Sequence, residues 1–136
     1  MNLDLSNKIA IVCGSTQGIG FAAAQELSLL GASCVLVARN ESSLKDAIKN
    51  LDISKNQLHS YLVADFDNPE SVKLSIEKYF TSNTAHILIN NSGGPNAGPI
   101  SIAEEVDFIN TFNRHLICNH ILAKACIPAF KQNGFG

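Results

Sequence analysis

The chain has 136 residues, 46% of them hydrophobic, with ten Lys and Arg against twelve Asp and Glu and a formal net charge of −2. That is the length of one domain with enough apolar content for a real core, which excludes a disordered tail; with no basic block, there is no electrostatic footprint for nucleic acid or an anionic membrane. The N-terminal MNLDLSNK has neither a basic n-region nor an apolar h-region, and no apolar run approaches a bilayer span, so the expectation is a cytoplasmic protein whose partners are small molecules or other protein chains.

In chain order, short apolar runs alternate with amphipathic stretches. KIAIVC, SCVLVA, LHSYLVA and HILIN are strand-length and largely lack polar alternation, which suits strands buried on both faces. Between them GIGFAAAQELSLLG, ESSLKDAIKNL and PESVKLSIEKYF are longer and carry helical spacing, as at Val72, Ile76 and Phe80. The pattern is βαβαβαβ, an α/β fold in which right-handed crossovers place helices on both faces of a parallel sheet. Punctuation agrees with these boundaries. Gly31 closes the first helix, Asn40 or Ser42 can cap the second, and Asn68 before Pro69 reads as the N-cap of the third. Cys13 and Cys34 fall inside strands, and with Cys118 and Cys126 they form no C-x-x-C pair, so reduced core cysteines are expected.

The last stretch reads as one helix from about Ala103 to Phe130, roughly 42 Å long. Ile109, Phe112, Leu116, Ala123, Ile127 and Phe130 mark one stripe, and Ile117, Ile121, Leu122 and Ala125 widen it. A helix so apolar is expected to pack against the sheet and a second element, a partner subunit being one such element. Pro128 removes one hydrogen bond near its end and is expected to bend the last turn.

Three strand ends carry residues suited to a dinucleotide. CGSTQGIG follows the first strand, and glycines at 14, 18 and 20 allow a sharp turn and close ligand approach, while the next helix offers free N–H groups to a pyrophosphate. Taken by itself such a cluster is also an ordinary tight turn; its place between strand and helix favours the ligand. At the tip of the second strand, nineteen residues beyond Gly20, Arg39 stands where a carboxylate would hold the ribose hydroxyls of NAD. An arginine there suits a 2′-phosphate, the alternative being a solvated surface cation. Asp65, ending the third strand in VADFDN, can accept from an adenine amino group, or it and Asp67 or Asn68 can cap the following turn. The fourth strand ends in INNSGGP, where the Asn side chains can bond neighbouring backbone and Gly93 and Gly94 keep a face open.

CGSTQGIG, ARN, VADFD and INNSGGP occur in the order and spacing of the short-chain dehydrogenase/reductase family, which the chain resembles over nearly its whole length. Cys13 replaces the Thr of the family's T-G-x-x-x-G-x-G and Ser92 the Ala of N-N-A-G. The resemblance implies a Rossmann-type doubly wound parallel sheet of order 3-2-1-4, with residues 1–136 one dinucleotide-binding domain. It implies that Gly14, Ser15, Gln17, Gly18, Ile19 and Gly20 line the pyrophosphate and that Arg39 selects NADP(H) over NAD(H). Asp65 would meet the adenine, and Asn90, Ser92 and Gly93 would line the ribose and stabilise the central strand. It further implies a small-molecule carbonyl or hydroxyl substrate and a homo-oligomer formed through the helix at 103–130.

Two departures follow from the same comparison. In FNRHL, His115 occupies the place of the family Asn that holds a proton-relay water; it can support such a relay or be a packing substitution. With His59, His86 and His120 it makes no metal-ligand spacing, so no metal is expected. The family's catalytic Ser and Tyr-x-x-x-Lys have no counterpart in the sequence, because Tyr61 and Tyr79 lack a Lys four residues on. KQNGFG resembles the turn before a fifth strand, so the chain is expected to be the N-terminal part of a longer reductase, with HILIN as an exposed sheet edge. Within the family the motifs look most like 3-oxoacyl-carrier-protein reductases. The alternative expectation is a complete, catalytically inactive cofactor-binding or interaction module.

Overall fold

The computed structural model describes residues 3–95 and 97–136; Met1 and Asn2 of the N-terminal stretch and Asn96 of the loop after the fourth strand, all read above, lie outside them. Strands β1 (Ile9–Cys13), β2 (Ser33–Ala38), β3 (Ser60–Val63) and β4 (Ile87–Ile89) form one parallel sheet of order β3-β2-β1-β4. Helices α1 (Gly18–Leu29), α2 (Glu41–Ile48) and α3 (Pro69–Phe80) alternate with them. The expected doubly wound arrangement is therefore the observed one.

Strand residues alternate between two cores. Ala10, Val12, Cys34 and Leu36 face α1 and α2 through Ala24, Leu44 and Ala47, whereas Ile11, Cys13, Val35 and Val37 face Val72 and Ile76 of α3 and the last helix. The two central strands are buried on both faces, so each fully buried aliphatic side chain contributes roughly 1.5–3 kcal/mol. β3 and β4 form the edges and are only partly covered. Histidines serve at the strand starts: His59 Nδ1 accepts from Cys34 N at 3.0 Å and His86 Nδ1 from Ile9 N at 3.2 Å.

The helix starts follow side-chain chemistry. Asn40, rather than Ser42, caps α2 by accepting from Ser43 N at 2.9 Å, and Asn68 caps α3 by accepting from Glu70 N and Ser71 N.

The final helix departs from the single segment expected at 103–130. A 3₁₀ turn at Ile100–Ile102 precedes α4 (Glu105–Phe112), a π turn covers Asn113–Ile117, and α5 (Cys118–Asn133) runs five residues past Pro128 to a left-handed Gly134. The start is set by a reciprocal cap between Glu104 and Asp107, a local device that outweighs the apolar pattern. The core stripe meets the expected set at Leu122, with Ile121, Ala125 and Phe130 packed beside it, and otherwise differs. Cys118, Leu122, Cys126 and Ala129 face the sheet, while Ile109, Phe112, Leu116 and Ile127 stay exposed. The buried stripe is mostly small residues, which let the helix approach the sheet closely. Among the described residues no helix is long and apolar enough to cross a membrane.

Candidate functional site

Parallel register brings the C-terminal ends of the four strands to one edge of the sheet. Cys13 lies beside Val37, Ala38 beside Val63, and Val12 beside Ile89. The chain runs outward from β1 to β3 and then returns to place β4 on the other side of β1, so the loop after β1 sits where the strand order reverses. Ligands of open α/β sheets bind at such a switch point.

The loop after β1 is tied down from both sides. Gly14 N donates to Val37 O at 2.9 Å, and the buried Ser15 Oγ accepts from Val37 N at 3.2 Å, which hooks the loop to β2. Asn91 Nδ2 donates to Cys13 O and Gly14 O at 3.3 and 3.2 Å, which hooks it to the segment after β4. Gly14 and Gly18 have φ of +56° and +59°, a region that favours glycine. The loop delivers the chain into α1, whose N-cap Gln17 makes no side-chain cap bond and whose first turn holds no acidic residue. By contrast Asn40 and Asn68 cap α2 and α3 by accepting from their first N–H groups. The first N–H groups of α1 are left for another acceptor, the condition an anion needs at a helix start.

A cleft of about 470 Å³ opens at this edge, and Gly14, Gln17, Arg39, Asp65, Ser92 and Gly93 of the residues expected from sequence line it. Five residues of that set, Ser15, Gly18, Ile19, Gly20 and Asn90, lie outside the lining. Ser15 is buried beneath the loop, Gly18 and Ile19 are exposed on α1, and Asn90 is exposed after β4. Gly20 is buried behind the loop against Gly14 and Asn91. His115 does not line the cleft but reaches it through Ser92, whose Oγ is 2.9 Å from His115 Nδ1. Thus two of the three positions that depart from the family motifs, Ser92 and His115, touch each other.

Asp65 makes the capping contact as well: its Oδ1 accepts from Asp67 N at 3.0 Å. Gly94 lines the cleft as well, in keeping with the open face expected of INNSGGP, and Asn91 bonds backbone as expected of that asparagine pair; Thr16, Phe66, Asp67 and Arg114 also line it and were not expected there. FNRHL carries no local signal for Arg114, because its role depends on meeting Asp67, 47 residues away. Open space surrounds a Cβ placed on Gly93 or Gly94. The carboxylates, guanidinium groups and uncapped helix start of this cleft fit a dinucleotide.

Neither tyrosine serves the cleft. Tyr79 hydroxyl donates to Thr84 O, and burial pushes its pKa up to about 12; Tyr61 hydroxyl donates to Glu41. Among the described residues no group of three or more His, Cys, Asp or Glu side chains could hold a metal ion.

The family model for short chain dehydrogenases matches residues 8–136. The chain belongs to that family. Of similar solved structures, L-sorbose reductase from Gluconobacter frateurii complexed with NADPH and L-sorbose is 29% identical, with a TM-score of 0.88 over 98% of this chain and 51% of that one. A protein provisionally named granaticin polyketide synthase ketoacyl reductase 1, from Streptomyces violaceoruber, is 34% identical over 89% of this chain and 44% of its own length. Inactive hydroxysteroid dehydrogenase-like protein 1 of Homo sapiens is 34% identical over 62% of this chain and 26% of its own. The short chain dehydrogenase sequence thus spans about half the length of these relatives or less.

Proposed function

We propose that the whole protein is an NADP(H)-dependent oxidoreductase that moves a hydride between nicotinamide and a carbonyl or hydroxyl substrate. The observation that carries this reading is Arg39, whose side chain is 74% exposed at the cleft directly after β2, where a cation meets a 2′-phosphate. NADPH in the similar sorbose reductase supports the same choice over NAD(H). Gly14, Gln17 and the α1 start would hold the pyrophosphate, Asp65 would meet the adenine, and Ser92 and Gly93 would line the ribose. When bound, the cofactor supplies the hydride; the chain's own residues bind and orient it. Ser92 fixes the His115 ring through its Nδ1, leaving Nε2 as the nitrogen available to a proton-relay water.

The ketoacyl reductase relative supports a 3-oxoacyl thioester, as on an acyl carrier protein, as substrate. The protein works in the cytoplasm, and residues 1–136 act as one dinucleotide-binding domain. The exposed Phe108, Ile109, Phe112 and Leu116 favour self-association through α4 and the π turn after it. Fluorescence titration of the purified protein with NADPH and NADH tests the reading. NADPH should bind at least about tenfold tighter, and Arg39→Met should weaken NADPH alone. Binding of neither nucleotide, or tighter binding of NADH, would sink it.

A second reading is a catalytically inactive cofactor-binding or interaction module. His115 at the family Asn position and the similarity to an inactive relative favour it. NADPH binding without turnover of any 3-oxoacyl thioester or simple ketone by the full protein is the result that would select it.

A further inference from the structure

Asp67 stands at the mouth of the cleft between two arginines that come from different elements. Arg114, on the π turn, donates through Nε to Asp67 Oδ1 at 2.7 Å, with Nη2 paired to the same oxygen. Its Nη1 donates to the carbonyls of Gly94 at 2.9 Å and Gly93 at 3.4 Å. On the other side Asp67 Oδ2 is 3.5 Å from Arg39 Nη1. The two arginines are held unequally: the Arg114 side chain is 21% exposed and clamped at several points, whereas Arg39 is mostly in solvent with one long contact.

This arrangement bears on how a phosphate could reach Arg39. A carboxylate 3.5 Å from that guanidinium competes for it and repels an incoming dianion. Arg114 answers both effects, because it keeps Asp67 paired when Arg39 turns away and offsets the carboxylate charge.

We infer that Arg114 sets the preference for a 2′-phosphorylated cofactor by holding and neutralising Asp67, so that Arg39 is released to the phosphate. The inference rests on the NADP(H) reading above. Arg114 is a positioning residue here, acting through Asp67 and Arg39 and not through the ligand. A ribose hydroxyl carries no charge for Asp67 to repel, so the effect is confined to NADPH.

NADPH and NADH titrations of the purified protein, of Arg114→Met, of Asp67→Asn and of the double variant test it. Arg114→Met should lower NADPH affinity roughly tenfold and NADH affinity less than about twofold, and the NADPH deficit should shrink in about 0.5 M salt. Asp67→Asn added to Arg114→Met should bring NADPH affinity back to within about threefold of the parent. Equal losses for both nucleotides, or a deficit that survives Asp67→Asn, overturn the inference. If Arg114→Met does not fold, Arg114→Lys keeps the charge without the fork and should retain the preference; loss of preference in that variant overturns it too. A parent protein that prefers NADH or binds neither nucleotide brings down the cofactor reading itself, and the inference with it. A parent that prefers NADPH, with variants that behave otherwise than stated, removes the inference alone.

Discussion

Gly20 is the point at which fold and site constrain each other most tightly. A Cβ built there lies 2.3 Å from Gly14 O, 2.8 Å from Cys13 O and 2.8 Å from Asn91 Nδ2. Two of the three neighbours are backbone of the loop after β1, so Gly20→Ala forces α1 away from β1 by about 1 Å or breaks the Asn91 bridge. Overpacking of this kind costs about 1–3 kcal/mol, and contact with unyielding carbonyls places it near the top of that range. Against it stands the helix propensity of alanine, about 1 kcal/mol in favour of the variant. The net expectation is a loss of about 2 kcal/mol, a factor of roughly 30 in the folding equilibrium. Urea unfolding followed by circular dichroism measures it, with Gly93→Ala as control, since a Cβ at that glycine meets nothing within 4 Å. An unchanged or raised midpoint for Gly20→Ala, as propensity alone demands, would refute the close-approach account.

Three further outcomes follow from the packing and the charges. Leu122, 1% exposed between α3 and the sheet, should cost about 2–5 kcal/mol on truncation to alanine, and a loss below about 1 kcal/mol would show that the site collapses around it. Burial pushes the thiols of Cys13, Cys34 and Cys126 up to about 12 and raises that of Cys118, so none should react with iodoacetamide in the native protein while all four react in urea; fast native labelling of any would contradict this. The Ser6 hydroxyl, then the Lys55 ammonium and Ser6 N–H, hold the Asp4 carboxyl at about 2 against its ordinary 3.8. Because the folded pKa is the lower one, this stabilisation is complete above pH 3.8 and is lost as pH falls through about 2. Asp4→Asn should flatten the stability profile across that window, and an unchanged acid limb would refute the contact.

Much of the framework was legible before any coordinate. β1 and β2 announce themselves as apolar runs without polar alternation, and Asn40 and Asn68 mark helix starts, because strand burial and N-capping depend on residues within a few positions of each other. The glycine loop was legible for the same reason: its function needs conformations that glycine supplies locally. The long helix shows where this reasoning ends. Its hydrophobic pattern is so dense that period alone could not tell the buried stripe at Cys118, Leu122 and Cys126 from the exposed one at Phe112 and Leu116. The π turn at Asn113–Ile117 breaks the regular spacing on which any stripe count relies.

The sequence by itself therefore determined the order of elements, the family and the position of the glycine loop, all of which rest on short windows of chain. Only the tertiary structure decided which side chains meet: Asn91 with the carbonyls of Cys13 and Gly14, Ser92 with His115, and Arg114 with Asp67. These pairs are separated by tens of residues. Their meeting depends on strand register and on the rotation of one helix about its axis, quantities set by the packing of the whole core and carried by no local stretch of residues.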